Sequence, residues 1–403
     1  MSGKNSRAID SVVILNMHYT GLGIARDLKD CAVKVYGLSF DEDFIGNVSR
    51  HCQFLRYPNP EVDSRACLKF LLDLSNNLGS RALLLATRDQ DLDFIQGNRK
   101  DLEEAFLLPW PDNHALEVIL RKSLLVDVAR QNQVHCPDTV LLKQVTDLHA
   151  LEERIQFPCI VKPDKATDWR SPAIWKSVGK RKVIMCNSLG EIEYLARKLL
   201  TSGTPILVQE YVSGSDDNLV MFCSYRSRQG VIEYFTSRKL LQNPPHSGTG
   251  IAVRSCVIPE IVEPSIRLLT ALGYEGISEI EYKYDATKKD YALVEINPRH
   301  WDQHRLGTVS GVNLTLAQYS DLSGQRVPSQ HQTFERTWIA EDAFIRSVID
   351  RLRSRRSGYS WKRYWDALTG RPHFAVLDRR DYRPFLRLIR LLWRSLVEGL
   401  RRS

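Results

Sequence analysis

The densest chemical signal in the 403-residue chain is Glu295-Ile-Asn297-Pro-Arg299. In an extended chain positions 295, 297 and 299 share one face, so a carboxylate, an amide and a guanidinium converge. Upstream, the strand-like run Gly276–Tyr284 carries Glu279 and Glu281 on one face. If the polar turn at 285–290 pairs the two runs, Glu281 lies beside Glu295, and facing carboxylates repel unless a cation sits between them. Hard divalent ions such as Mg²⁺ take oxygen ligands of this kind. Solvated acids on a surface hairpin are the plain alternative. Two lysines add a second signal: Lys162 ends the apolar run PCIVK, and Lys122 opens a helix after Leu120-Arg121. A lysine at a buried strand end needs a partner or a solvated cleft, because unpaired burial is costly. A polyphosphate would serve. The run Ile206–Val212 ends in Gln209-Glu210-Tyr211-Val212, followed by Gly214, Asp216 and Asp217.

Two other motifs are weaker. Gly21 and Gly23 have the GxG spacing of half a dinucleotide fingerprint, but Arg26 stands where the third glycine belongs. A tight strand-to-helix turn is the leading reading there, ligand contact the next, and nicotinamide dinucleotide binding the remotest. His300 and His304 have HxxxH spacing, which would place both imidazoles on one helical face. Trp301 occupies the position where zinc hydrolases carry glutamate, and no third ligand is evident. Packing, or contact with an acceptor substrate, fits better than zinc.

These residues need elements to hold them. Ser11–Leu15, Ala32–Leu38 and Arg81–Ala86 read as buried strands alternating with helical patterns at Ile24–Leu28 and Arg65–Leu74. That alternation argues for a parallel α/β sheet over the first part of the chain. Leu116–Asn132 reads as one long helical pattern, and Pro158–Lys162, Val183–Cys186 and Ile206–Tyr211 as strands. Ser188–Leu200 reads as a helix with a Ser188/Glu191 capping box. Leu219–Tyr225 with Gly230–Ser237, and Gly276–Tyr284 with Tyr291–Ile296, read as antiparallel hairpins, with a helix over Glu260–Leu272 between them.

The composition is that of an ordinary globular protein, with 43% hydrophobic and 26% charged residues. The eight cysteines form no CxxC pair and read as reduced core thiols. No run is long and apolar enough for a transmembrane helix, and Ser11–Leu15 is too short for a signal-peptide core, so a cytoplasmic location is expected. The net charge of +8 is uneven. Residues 331–403 hold 17 Arg and Lys against 8 Asp and Glu, while residues 1–330 hold 39 against 40. A chain-wide nucleic-acid footprint is therefore not expected. Arg383–Ser403 reads as a helix entered at Pro384, with an apolar stripe of Phe385, Leu388, Ile389, Leu392, Leu396 and Leu400 beside an arginine stripe. Docking on the protein's own body, a homodimer contact, and peripheral contact with the inner face of a membrane are the open readings.

Taken in order, Lys122, Lys162, Gln209-Glu210, Asp217, Glu281 and Glu295-x-Asn297-x-Arg299 resemble the ATP-grasp superfamily, from about residue 10 to about residue 325. Thr87-Arg-Asp89, after its strand, looks like the domain that precedes that fold. Three further segments resemble carboxylate–amine ligases of the D-aspartate ligase kind: Arg238-Lys239-Leu-Leu-Gln242-Asn-Pro-Pro245, Gly248-Thr-Gly250, and Arg299-His-Trp301 running towards Gly311-Val-Asn313. The resemblance implies an N-terminal parallel α/β domain (1–115) and an ATP-grasp domain of two α+β subdomains (116–328, lid about 123–208). A basic, largely helical extension (329–403) follows. It implies ATP and Mg²⁺ (or Mn²⁺), with a carboxylate activated as acyl phosphate and joined to an amine, an amino acid being the natural choice. The acid could be a peptide, or a lipid-linked or saccharide precursor. Lys122 and Lys162 would hold the α- and β-phosphates. Gln209, Glu210, Tyr211 and Val212 would border the adenine, and Asp217 would accept from the ribose. Glu281, Glu295 and Asn297 would ligate the metal, and Lys239 and Arg299 would meet the γ-phosphate or acyl phosphate. The expected phosphate loop between Lys162 and Val183 departs from pattern: it is long, holds only Gly179, and offers Lys176, Lys180, Arg181 and Lys182. A non-catalytic ATP-binding scaffold of the same fold and a dinucleotide oxidoreductase are the competing functions.

Overall fold

A computed structural model describes residues 9–110, 113–151, 154–245, 248–353 and 359–402. The chain opens with β1 (Ser11–Leu15), buried throughout as its unbroken apolar run requires, then α1 (Tyr19–Asp27), β2 (Lys34–Ser39), β3 (Gln53–Arg56), α2 (Ser64–Leu78) and β4 (Leu83–Leu85). The four strands form a parallel sheet in the order β3-β2-β1-β4. Helix α2 starts at Asp63, whose carboxylate accepts from Ala66 N, and stops at Gly79 in the left-handed region. Next come α3 (Asp89–Gly97), α4 (Arg99–Ala105), α5 (Asn113–Leu120) and α6 (Lys122–Gln131).

The single helix expected over Leu116–Asn132 is broken at Arg121, which is extended (φ −99, ψ 106). Asp164 causes the break. Its carbonyl accepts from Lys122 N at 3.0 Å and its Oδ1 from Ser123 N at 2.9 Å, supplying the orphan donors of a new helix start.

A second sheet, ordered β5-β8-β6-β7, is antiparallel. It comprises β5 (Thr139–Leu142), β6 (Cys159–Pro163), β7 (Ile184–Cys186) and β8 (Ile206–Glu210), backed by α7 (Pro172–Ser177) and α8 (Leu189–Leu200). It has its own core, including Leu142, Val161, Trp169, Ile192, Leu199 and Val208. The Ser188 hydroxyl makes no cap bond. Glu191 instead accepts from Asn187 N, one residue before the cap, at 2.9 Å, so neither bond of the expected capping box forms.

The third sheet has seven strands in the order β13-β12-β9-β10-β11-β14-β15. Its elements are β9 (Leu219–Arg226), β10 (Ile232–Asn243), β11 (Thr249–Ser255), α9 (Val262–Ala271), β12 (Gly276–Asp285), β13 (Asp290–Asn297), α10 (Arg305–Ser310), α11 (Leu314–Leu322) and β14 (Thr337–Ile339). Then follow α12 (Glu341–Arg353), α13 (Trp361–Thr369), β15 (Pro372–Phe374) and α14 (Arg383–Arg402). Both expected hairpins form, with Cys223 facing Phe235 and Glu281 facing Glu295. One core joins this sheet to the N-terminal one: Val13, Leu84 and Phe106 pack in the same cluster as Phe222, Ile280, Tyr282 and Leu293. Burying each such side chain contributes roughly 1.5–3 kcal/mol.

The basic C-terminal segment adds β14 and β15 to the edge of this sheet. Arg26 fastens it to the N-terminal domain. Its buried guanidinium meets Asp381 at 3.0 Å and the carbonyls of Ala375 and Val376 at 3.1 and 2.9 Å. The apolar stripe of α14 divides: Phe385, Leu388, Leu391 and Leu392 pack inward, while Ile389 is exposed. The Leu396 and Leu400 side chains lie outside the described residues.

Candidate active site

The hairpin β12–β13 builds one wall. Its register sets Glu281 opposite Glu295 and Glu279 opposite Asn297. Ile280 and Tyr282 point into the core, which turns Glu279 and Glu281 to the other face. A bulge after Glu281 leaves Val294 unpaired, as bulges beside functional sites often do. Asn297 Nδ2 donates to Glu279 Oε2 at 3.1 Å, and Lys239 Nζ donates to Glu281 Oε2 at 2.8 Å. Arg299 Nε donates to Asp89 Oδ1 at 2.6 Å, tying the end of β13 to the start of α3. Trp110 Nε1 donates to the Pro298 carbonyl at 2.9 Å and holds the same corner.

The opposite wall belongs to the second sheet. Lys162, the last residue but one of β6, is 5% exposed. Asp164, two residues on, caps α6, so the break at Arg121 sets Lys122 beside Lys162. Burial, and then Lys122, push the Lys162 ammonium down to about 7, against the pull of Glu295 and Asp164. Burial raises Glu295, but Lys122, Lys162 and Lys239 outweigh it and hold its carboxyl below the usual range. Glu279 goes the other way: burial, and then Glu281, push it up to about 8. Burial opposes the charge on Lys239 and on Arg299, but Glu281 and Asp89 respectively outweigh it and raise both. Lys122, Lys162, Glu295, Lys239, Glu281 and Glu279 thus form one chain of coupled charges, and Asp89 links it to Arg299.

Strand β8 ends at Gln209-Glu210, and Tyr211 and Val212 begin the connection from the second sheet to β9 of the third. The Gln209 side chain is buried and donates to Thr139 Oγ1 at 2.8 Å, so only its backbone can face a ligand. Glu210 Oε2 accepts from Lys288 Nζ at 2.9 Å and from Asp138 N at 3.3 Å, and Lys283 Nζ lies 4.9 Å from the Tyr211 ring centroid. Val212 is buried. Asp217 stands at the rim and accepts from Arg363 at 2.9 Å, while the neighbouring Asp216 accepts from Tyr359. The expected phosphate loop after Lys162 is partly helical: Lys176 lies in α7, and Lys180, Arg181 and Lys182 follow it, all four exposed. Among them Lys182 acts on the half-buried Asp89 carboxyl.

The sequence pattern missed several partners. Asp89 sat in view at a strand end, but its pairing with Arg299 spans 210 positions. Asp164 and Arg363 carried no local signal. Gly21 and Gly23 lie within α1 rather than in a loop before it. A Cβ at Gly21 would meet the Asn16 carbonyl at 2.3 Å and one at Gly23 the His304 ring at 2.6 Å. They are small for packing, and Arg26 is the buried fastener described above. His300 and His304 do not share a helical face, because α10 starts only at Arg305. Their buried rings meet Thr315, the Trp301 carbonyl and Asp27. No group of three or more His, Cys, Asp and Glu poised for a metal occurs among the described residues.

Solved structures share this architecture. The biotin carboxylase–ATP complex from Campylobacter jejuni superposes with TM-score 0.65 at 15% identity, covering 82% of this chain and 75% of that one. The chain has the ATP-grasp fold. L-amino acid ligase from Bacillus licheniformis matches with TM-score 0.59 at 16% identity, covering 78% and 75%. Residues 209–327 match the family model of the carbamoyl-phosphate synthase L chain ATP-binding domain, the stretch that holds the acid-bearing hairpin. D-aspartate ligase of Enterococcus faecium (strain Aus0004) is 22% identical over 257 residues, which are 61% of this chain and 60% of that relative's length.

Proposed function

We propose that the protein is an ATP-dependent ligase that activates a carboxylate as an acyl phosphate and joins it to an amine. One observation carries this reading: a buried, unneutralised Lys162 faces Glu295 across the boundary between two sheets, beside an acid pair on adjoining strands. An anion fits at the first and a hard cation at the second. Such a cation keeps waters and phosphate oxygens and needs only one or two protein carboxylates. The lack of a larger acidic cage is therefore compatible with Glu281, Glu295 and Asn297 holding Mg²⁺ or Mn²⁺. Bound there, the metal would neutralise charge on the phosphates.

The chain's own residues would do the rest. Lys122 and Lys162 would hold the α- and β-phosphates, and the backbone of Gln209–Val212 would border the adenine with Glu210 held by Lys288. Asp217 would accept from the ribose, sharing its carboxylate with Arg363. Lys239 and Arg299 would stabilise the charge that develops on the γ-phosphoryl group as a carboxylate oxygen displaces ADP. The amine nitrogen would then attack the acyl carbon, expelling phosphate and leaving an amide. The work would divide by segment: 1–115 and 116–328 enclosing the substrates, 123–208 acting as lid, and 329–403 bracing the rim. An amino acid as the amine is favoured by the likeness to D-aspartate ligase. The test is ADP release over pooled carboxylates and amino acids. Release that needs one member of each pool supports the ligase. Nucleotide binding without release under any pair would support a binding scaffold.

A further inference from the structure

Helix α14 is amphipathic twice over. Its inward side, Phe385, Leu388, Leu391 and Leu392, belongs to the body's core, and Arg387 and Arg394 reach Asp43 at 3.7 and 3.3 Å. The helix is therefore already docked. A second apolar ridge faces out: Tyr382 is 57% exposed, Leu386 55%, Ile389 47% and Trp393 69%. Spacings of three and four residues keep Leu386, Ile389 and Trp393 on one line of the helix, and Tyr382 stands just before its first turn. That line contributes nothing to the fold. Arg383, Arg390 and Arg394 run beside it, and the exposed Arg379 and Arg380 precede it. Arg383 and Arg390 have no carboxylate within ion-pair distance among the described residues, and residues 331–403 as a whole hold 17 Arg and Lys against 8 Asp and Glu.

We propose that the outward ridge of α14 seats the protein on an anionic lipid surface. A narrow apolar line with aromatic members beside a row of arginines matches the interfacial zone of a bilayer. Tyr and Trp lie at the headgroup level there, and cations meet lipid phosphates. No helix among the described residues is long and apolar enough to cross a membrane, so the contact is peripheral. The ridge flanks the docked face of α14 and is open to solvent, so lipid can reach it without unfolding anything.

Sedimentation of the full chain with vesicles tests this. The expected result is pelleting with phosphatidylcholine–phosphatidylglycerol vesicles, little with phosphatidylcholine alone, and a fall as salt increases. The combined Leu386→Ser, Ile389→Ser, Trp393→Ser variant should lose pelleting while keeping the parent's melting temperature. The Arg383→Gln, Arg390→Gln variant, which touches no packing, should weaken it by about tenfold or more. Failure to pellet at low salt, equal pelleting on neutral vesicles, or unchanged pelleting of both variants overturns the proposal. So does a shift from dimer to monomer in the triple variant with no change on vesicles, since a second copy would then cover the ridge.

Discussion

Lys162 on the second sheet and Lys239 on the third are both buried, at 5% and 7% exposure, yet they are held in opposite states. Lys239 meets Glu281 at 2.8 Å and its charge is reinforced. Lys162 has no carboxylate within ion-pair distance among the described residues, sits by Lys122, and its ammonium is pushed down to about 7. Lys239 is paired within the third sheet; Lys162, on the second, has no such partner among the described residues and gives up its proton readily. The cores repeat the contrast. The third sheet shares one core with the N-terminal sheet, whereas the second sheet has a core of its own.

Breaking the third sheet's pair should have the largest effect. Lys239→Met leaves Glu279, Glu281 and Glu295 crowded without their cation, and should cost about 3–5 kcal/mol in denaturant unfolding. The double variant Lys239→Met, Glu281→Gln should recover most of that stability without recovering turnover. Equal instability of single and double variants would mean that the pair is not what Lys239 holds. Glu295→Gln comes next. It keeps shape at a half-buried position and should lower ADP release by at least about a hundredfold with little change in melting temperature. Near-normal release at saturating Mg²⁺ would separate Glu295 from the metal. The smallest effect is expected at the rim. Arg363→Ala removes a partly exposed pair worth under about 1 kcal/mol, so stability should hardly change. Nucleotide affinity should shift a few-fold if Asp217 receives the ribose, and stay fixed if it does not.

What could be read in advance follows the range of the interactions. The hairpin at 276–297 was legible because alternation and a polar turn are local, and with it came the facing of Glu281 and Glu295. Lys162 was legible as a charge at the end of an apolar strand. The break at Arg121 was legible only in part: Lys122 was placed at a helix start, yet the helical pattern continues through Arg121, and Asp164 imposes the break from another element. The strands β14 and β15 are three residues each, too short to show a period, and exist because β11 offers an edge. The division of α14 into a docked and an exposed apolar line needed the body's surface, because helical spacing alone joins Leu388 and Ile389 in one stripe.

The placement of nucleotide phosphates at Lys162 is tested most directly by calorimetric titration of ATP with Mg²⁺, near neutral pH, in two buffers of different ionisation enthalpy. A phosphate beside Lys162 restores its proton, so binding should take up protons near pH 7 and weaken as pH rises above it. In Lys162→Met the proton uptake should vanish and the affinity fall about tenfold to a hundredfold. The same variant should melt higher, because the lost ammonium was costly to bury. Its folded value near 7 lies below the ordinary 10.5, so the folded parent binds fewer protons between those limits and gains stability as pH rises through them. The variant should lose that slope. Equal affinity and equal proton exchange in parent and variant would contradict the placement of the nucleotide phosphates at Lys162.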